Sequence, residues 1–105
     1  MKASFQFTPQ ATADIDAIWW FIAEDNPTAA DMVEGEIVAS CRRLAKHPGM
    51  GIKHRDITPL NVRFWTVSRF PNYVIVYRPA TAPLQVVAVL HGKRDLKEIL
   101  QKRSL

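Results

Sequence analysis

The residues of this chain that could do chemistry are mostly basic and aromatic, and they fall in the second half of the sequence. Arginine and lysine contact phosphates, and aromatic rings stack on bases. A set of this kind indicates an anionic partner, although any single arginine is more often a solvated residue at a strand edge. The set comprises Arg55, Arg63, Arg69, Arg78, Lys93 and Arg94, with Trp65, Tyr73 and Tyr77.

Histidine and cysteine give no pattern of a metal site. His47, His54 and His91 are scattered and lack the spacing of metal ligands. The single cysteine, Cys41, excludes an intrachain disulfide and a cysteine-based metal cage. Its helical surroundings predict a small buried hydrophobic side chain, and a nucleophile is the less favoured interpretation. We expect no metal.

Acid–base and phosphate-cradling motifs are equally weak. Asp14 and Asp16 lie two apart in a helical pattern, so they face different sides and do not form a catalytic pair. Gly92-Lys93 lacks the upstream glycine and the following serine or threonine of a phosphate-binding loop. The sequence therefore predicts no catalytic residues and no cofactor.

Length and composition indicate an ordinary globular protein. The chain has 105 residues, of which 48% are hydrophobic and 23% charged, and its formal net charge is +4. We expect one domain over 1–105, with a modest core. The positive charge favours acidic partners, namely nucleic acid, an acidic protein or an anionic membrane face. Met1 to Thr8 contains no apolar run, and no stretch approaches the roughly 20 apolar residues of a membrane span, so we expect a cytoplasmic protein without membrane contact.

The first half of the chain predicts a strand and two helices. Ser4 to Thr8 alternates polar and apolar residues like a short strand. Pro9 to about Asp25 carries an apolar stripe at helical spacing, and Pro27 to about His47 carries a second one. Pro48-Gly49 ends the second helix. Because almost no loop separates the two helices, they must form an antiparallel hairpin. The stripes consist of Ile15, Ile18, Trp19 and Ile22, and of Ala30, Val33, Ile37, Cys41 and Leu44.

The second half predicts three strands and a short helix. Val62–Ser68, Tyr73–Arg78 and Leu84–His91 are strand-like and close enough to pair as an antiparallel meander. The middle and last strands are apolar on both faces, so both faces of the sheet need cover. The helical hairpin covers one face, and a helix over Lys93–Lys102 covers part of the other. The sequence thus predicts an α+β fold of order β-α-α-β-β-β-α, with the hairpin packed on a mainly antiparallel four-stranded sheet.

Three blocks of residues, taken in order, resemble one known family. The first is Asp14-Ile15-Asp16-Ala17-Ile18-Trp19-Trp20-Phe21-Ile22-Ala23 with Asn26-Pro27 and Ala29-Ala30. The second is Leu44-Ala45, Pro48, Gly51 and Arg63, followed by Arg69-Phe70-Pro71-Asn72-Tyr73-Val74-Ile75-Val76-Tyr77-Arg78. The third is Val89-Leu90-His91-Gly92-Lys93-Arg94-Asp95. Together they resemble the ParE/RelE toxin superfamily, and in particular its ParE branch.

The resemblance implies the toxin of a type II toxin–antitoxin pair, neutralised by an acidic antitoxin in a hetero-oligomer. ParE-like members poison DNA gyrase and need no catalytic residues. RelE-like members instead cut messenger RNA on the ribosome. Of the residues that those members use, this chain keeps Arg94, but it has Val74 after Tyr73 and an aliphatic residue, about Leu100, in place of a tyrosine. We therefore favour gyrase inhibition, with ribosome-dependent RNA cleavage, another target or lost activity as the alternatives.

Two sets of residues are the predicted binding sites. We expect the end of the chain from His91 onward to carry the toxic action more than the fold. The positive face of its short helix is formed by Lys93, Arg94, Lys97, Lys102 and Arg103. Trp20 and Phe21 lie beside the main apolar stripe of the first helix and are candidate antitoxin anchors, against the alternative that they pack inside the hairpin. The predicted target-binding residues are Lys93, Arg94, Lys97, Arg63 and Arg69.

Overall fold

The computed structural model describes residues 4–103 and has the predicted element order. The expectation that Met1 to Thr8 is no leader falls partly on residues 1–3, which lie outside the described part. The elements are β1 (Phe5–Phe7), α1 (Pro9–Ala23), α2 (Pro27–Lys46), β2 (Arg63–Thr66), β3 (Tyr73–Arg78), β4 (Leu84–His91) and α3 (Leu96–Gln101).

Both helices of the hairpin begin with a polar cap followed by proline. The Thr8 hydroxyl accepts from the Ala11 N–H at 3.1 Å, and the Asn26 side chain accepts from the Ala29 N–H at 3.0 Å. These side chains satisfy backbone donors that have no partner within the helix, and proline in the first turn loses no hydrogen bond. The predicted apolar stripe of α2 is buried along its whole length, so that prediction is confirmed.

The four strands form one mixed sheet in the order β1-β4-β3-β2. Strands β2, β3 and β4 pair antiparallel, as predicted, with Tyr73 opposite His91. Strand β1 pairs parallel to β4, from Phe5 beside Leu84 to Phe7 beside Val86. The sheet is therefore mainly antiparallel, and a parallel strand lies along one edge.

A β-bulge interrupts the pairing of β3 with β4. Val76 lies opposite Ala88 and Tyr77 opposite Val86, which leaves Val87 as an extra residue. Beyond such a bulge, the side chains lie on the opposite face of the sheet from the one expected for an uninterrupted strand. The backbone N–H and C=O groups likewise point to the opposite edge of the strand. Val86 therefore packs on the side of the helical hairpin, whereas Val87 and Ala88 both pack on the opposite side.

Two hydrophobic clusters cover the two faces of the sheet. The larger one joins the hairpin to β3 and β4, and the smaller one lies under α3 and the segment around Ile57. The prediction that the last helix covers the second face is confirmed, because Leu100 is buried and Leu96 and Ile99 pack beside it.

The last helix starts later than the sequence predicted. It begins at Leu96, because the Asp95 side chain caps it by accepting from the Glu98 N–H at 3.1 Å. Lys93 and Arg94 therefore lie in the turn after β4, and only Lys97 of the predicted basic set is on the helix. No helix within residues 4–103 is both long and apolar enough to cross a membrane.

Candidate functional site

Most of the predicted target-binding residues lie at one end of the sheet. The turn between β2 and β3 contains Arg69 and lies beside the end of β4, where the Gly92 N–H donates to the Asn72 carbonyl at 2.7 Å. Lys93 and Arg94 follow directly, and Lys97 lies in the first turn of α3. We call Arg69, Lys93, Arg94 and Lys97 the basic end.

The basic end is exposed and not neutralised locally. All of its side chains are exposed, and the ion pairs within residues 4–103 involve none of them. Positive charges that are close together and unpaired attract phosphates or carboxylates over a distance of about 10 Å at moderate salt. This part of the molecule is therefore suited to bind an anionic surface.

Arg63 is separated from that group. It begins β2, whereas Arg69 follows the end of the same strand. The Arg63 guanidinium donates to the Gly51 carbonyl at 2.8 Å, and it lies 3.5 Å from the Gly49 carbonyl. It thus holds the loop that follows α2, at the opposite end of the strand from the basic end.

The interpretation of Tyr77 as a base-stacking residue is wrong, because its side chain is completely buried. The hydroxyl donates to the Pro48 carbonyl at 2.6 Å and accepts from the Gly51 N–H at 2.9 Å. Burial raises the pKa of Tyr77, which the Gly51 hydrogen bond and the charge of Arg63 partly offset. A Cβ atom on Gly51 would lie 2.5 Å from the hydroxyl oxygen, so this close approach requires glycine.

The other two aromatic candidates are half-buried. Trp65 packs against the cluster under the helical hairpin, and its ring N–H is buried without a hydrogen-bond partner among the described residues. Tyr73 makes an edge-to-face contact with His91, with ring centroids 5.5 Å apart, and burial raises its pKa. Both rings mainly contribute to packing.

The predicted antitoxin anchors are exposed. Trp20 is 67% and Phe21 is 74% exposed, so the alternative in which they pack inside the hairpin is excluded. The Trp20 ring meets Trp19 edge-to-face, with centroids 5.1 Å apart. Large exposed aromatics on one helix mark a candidate interaction surface.

A groove of about 320 Å³ connects this surface to the basic end. Ile18 and Phe21 line it from α1, Tyr73 and His91 line it from the sheet, and Arg94 lies at its rim. We call it the α1 groove. One cavity therefore contains a predicted antitoxin anchor and a predicted target-binding residue.

A buried ion pair is the feature that sequence reasoning missed. The two guanidinium nitrogens of Arg103 donate to the two carboxylate oxygens of Asp14 at 2.7 and 2.6 Å. The side chains are only 12% and 10% exposed. The expectation that Arg103 belongs to an exposed basic face is therefore wrong. One signal was available, because Asp14 precedes Ile18 by one helical turn and so lies on a buried side of α1.

No catalytic machinery is visible in the described part of the chain. Residues 4–103 contain no cluster of three His, Cys, Asp or Glu side chains that could hold a metal ion. Burial raises the pKa of Cys41 to about 12, so its thiol is protonated and unreactive at neutral pH. Val74 and Leu100, at the two positions noted for RelE-like members, pack in the cluster under α3.

The comparisons with known proteins agree with this architecture. Residues 5–96 match the family described as the ParE toxin of the type II toxin–antitoxin system parDE. A solved structure described as the chromosomal ParDE toxin–antitoxin system from P. aeruginosa superposes with a TM-score of 0.68 at 23% sequence identity, over 83% of this chain and 92% of that one. Among curated proteins, none matches this sequence. Because the family match spans most of the chain, this protein belongs to the ParE toxins of type II toxin–antitoxin systems.

Proposed function

We propose that this chain arrests growth by inhibiting DNA gyrase and that a cognate acidic antitoxin neutralises it. The basic end is the observation that carries the first half of this proposal. Its exposed side chains, Arg69, Lys93, Arg94 and Lys97, have no carboxylate partner within residues 4–103. Gyrase bound to DNA offers phosphates and acidic side chains, which suit such a surface.

RNA cleavage is the weaker alternative because two positions that serve catalysis in RelE-like members hold Val74 and Leu100, which pack in the cluster under α3. A nuclease needs a general base and charge stabilisation in the same site. His91 is the nearest candidate, but its Nδ1 accepts from the Lys93 N–H at 3.1 Å, and its ring packs on Tyr73. A basic surface without those catalytic side chains favours binding over catalysis.

The test compares two reactions with the same purified protein. Supercoiling of relaxed plasmid by gyrase is measured with increasing amounts of the protein, and a ribosome translation assay is probed for cleaved messenger. We expect supercoiling to fall while the messenger stays intact. Normal supercoiling with cleaved messenger would replace gyrase by the ribosome as target, and no effect in either assay would point to another target or to lost activity.

The antitoxin is proposed to dock on α1, with Trp20 and Phe21 as its anchors. Aromatic side chains dominate interface energies, and the +4 charge of the toxin favours an acidic partner. Because Phe21 and Arg94 line the same groove, a segment that fills it also covers part of the basic end. To neutralise the toxin, the antitoxin then needs only to block access to the basic end, within a hetero-oligomer of the two proteins.

Trp20→Ala tests the docking surface. The ring is two-thirds exposed, so its loss mainly removes the contact with Trp19, which contributes about 1 kcal/mol to stability. We expect affinity for the antitoxin to fall at least about 30-fold, as for an interface hot spot, with only a small change in melting temperature.

Ile52→Ala is the matched control, because Ile52 is a similarly exposed apolar residue, 62% exposed, in the loop that follows α2. We expect it to leave antitoxin affinity unchanged. If both variants lose affinity equally, or if neither does, α1 is not the docking surface. Calorimetric titration of the antitoxin into each variant provides the measurement.

A further inference from the structure

The Asp14–Arg103 ion pair lies along an edge of β4 that no strand within residues 4–103 covers. Strand β1 ends at Phe7, beside Val86. Beyond that point the Val89 N–H donates to Asp14 at 3.0 Å, and the Val87 carbonyl accepts from Arg103 at 3.1 Å. The bulge at Val87 explains this pattern, because it turns the backbone groups of Val87 and Val89 toward the β1 side. The ion pair thus satisfies backbone groups that a longer β1 would otherwise bind.

The pair also attaches the end of α3 to the rest of the fold. This helix is only six residues long, and Asp95 caps its first turn. Arg103 follows its last turn and reaches both α1 and β4. A helix this short is not stable by itself, so its orientation depends on such contacts.

We propose that Asp14 and Arg103 are positioning residues for the basic end. They hold the C-terminal side of α3 against β4, and this contact fixes Lys97 and the preceding turn with Lys93 and Arg94. The two parallel hydrogen bonds from the forked Arg103 guanidinium fix the orientation of the two side chains relative to each other. A single point charge, such as that of lysine, would not fix it. The inference rests on the proposed function in one respect, namely that the basic end is the surface that meets the target.

Local hydrogen exchange separates positioning from general stabilisation. In Arg103→Met, we expect the amides of Ile99 and Leu100 to exchange at least about tenfold faster, because the end of α3 opens locally. We expect the amide of Ile37, in the buried core of α2, to exchange only on global unfolding, so that its rate reports the loss of global stability in the variant. Lys102→Met is the matched control, since Lys102 forms a solvent-exposed ion pair with Glu98 at 3.0 Å and should change neither rate by more than about twofold.

The functional measurement uses the same variants. We expect Arg103→Met to raise the concentration needed to inhibit gyrase by about tenfold, compared at equal concentrations of folded protein as measured by circular dichroism. Arg103→Lys keeps the charge but not the fork, and it should fall between the parent and Arg103→Met in both exchange and inhibition.

Combining substitutions tests the pairing itself. Asp14→Asn keeps an acceptor for the Val89 N–H but loses the ion pair, so it should loosen α3 as Arg103→Met does. The double variant should be no looser than either single one, because both remove the same contact.

Unchanged exchange of Ile99 and Leu100 would overturn the inference, whether or not Ile37 exchanges faster, because the pair would then not hold α3 in place. If the parent fails to inhibit gyrase, the proposed target is wrong. The exchange measurements, with growth arrest as the activity, still decide whether the pair positions the basic end.

Discussion

Removing a single oxygen atom, in Tyr77→Phe, tests how the loop after α2 is held. The hydroxyl is buried and bridges the Pro48 carbonyl and the Gly51 N–H. Phenylalanine fills nearly the same space, so packing against the neighbouring residues is preserved. The variant therefore isolates the two hydrogen bonds.

The expected loss of stability follows from the burial of the two backbone groups that lose their hydrogen-bond partner. Gly51 is buried, so its N–H loses its partner where water has little access. An unsatisfied buried backbone group costs about 1–3 kcal/mol, and Pro48 is only half-buried, so its carbonyl regains water at a smaller cost. We expect the free energy of unfolding to fall by about 2 kcal/mol, which for a chain of this size lowers the melting temperature by about 10 °C.

Urea denaturation of the parent, Tyr77→Phe and Tyr73→Phe measures this loss. The hydroxyl of Tyr73 makes no hydrogen bond to the described residues, so Tyr73→Phe should change the free energy of unfolding by less than about 0.5 kcal/mol. The dependence on urea should have the same slope in all three proteins. Equal stability of Tyr77→Phe and the parent would refute the view that this hydroxyl holds the loop.

Three further predictions concern the surface and the core. Arg94→Glu with Lys97→Glu should abolish growth arrest while the circular dichroism spectrum persists; a fully toxic double variant would exclude the basic end as the working surface. Leu100→Ala should cost about 2–5 kcal/mol in urea denaturation, and a loss below 1 kcal/mol would show that α3 is dispensable for folding. Cys41 is more acidic when unfolded, with an ordinary pKa of 9.0 against about 12 when folded, so its contribution to stability is present below pH 9 and is lost between pH 9 and 12. Urea denaturation across that range should show a smaller alkaline loss for Cys41→Ala than for the parent.

Local sequence signals were sufficient to predict most of the fold. The helix starts at Pro9 and Pro27 and the two-faced apolar strand Leu84–His91 all depend on neighbours in sequence, and the structure confirms each. The predicted start of α3 at Lys93 is wrong, because the Asp95 side chain caps the helix and its first turn begins at Leu96.

The parts of the candidate site that the sequence did not reveal depend on distant contacts. Asp14 and Arg103 are 89 residues apart, and no local pattern links them. A tyrosine at position 77 is compatible with base stacking and with a buried structural role. Only the close contact between Gly51 and the hydroxyl, which the sequence does not reveal, shows that the role is structural. Arg63 was predicted to bind the target because it is an arginine. Its position at the start of β2 instead places the guanidinium where it donates to carbonyls of the loop after α2.

The pairing of β1 with β4 has a consequence for how the protein emerges during synthesis. The helical hairpin is contiguous in sequence, so it can form while the rest of the chain is still being made. Strand β1 has no partner until β4 has left the ribosome, and the ion pair of Asp14 must wait for Arg103. The exposed aromatics of α1 are thus displayed before the basic end is assembled. If α1 is the docking helix, as proposed above, an antitoxin already present in the cell can bind it on a nascent chain whose basic end is not yet assembled.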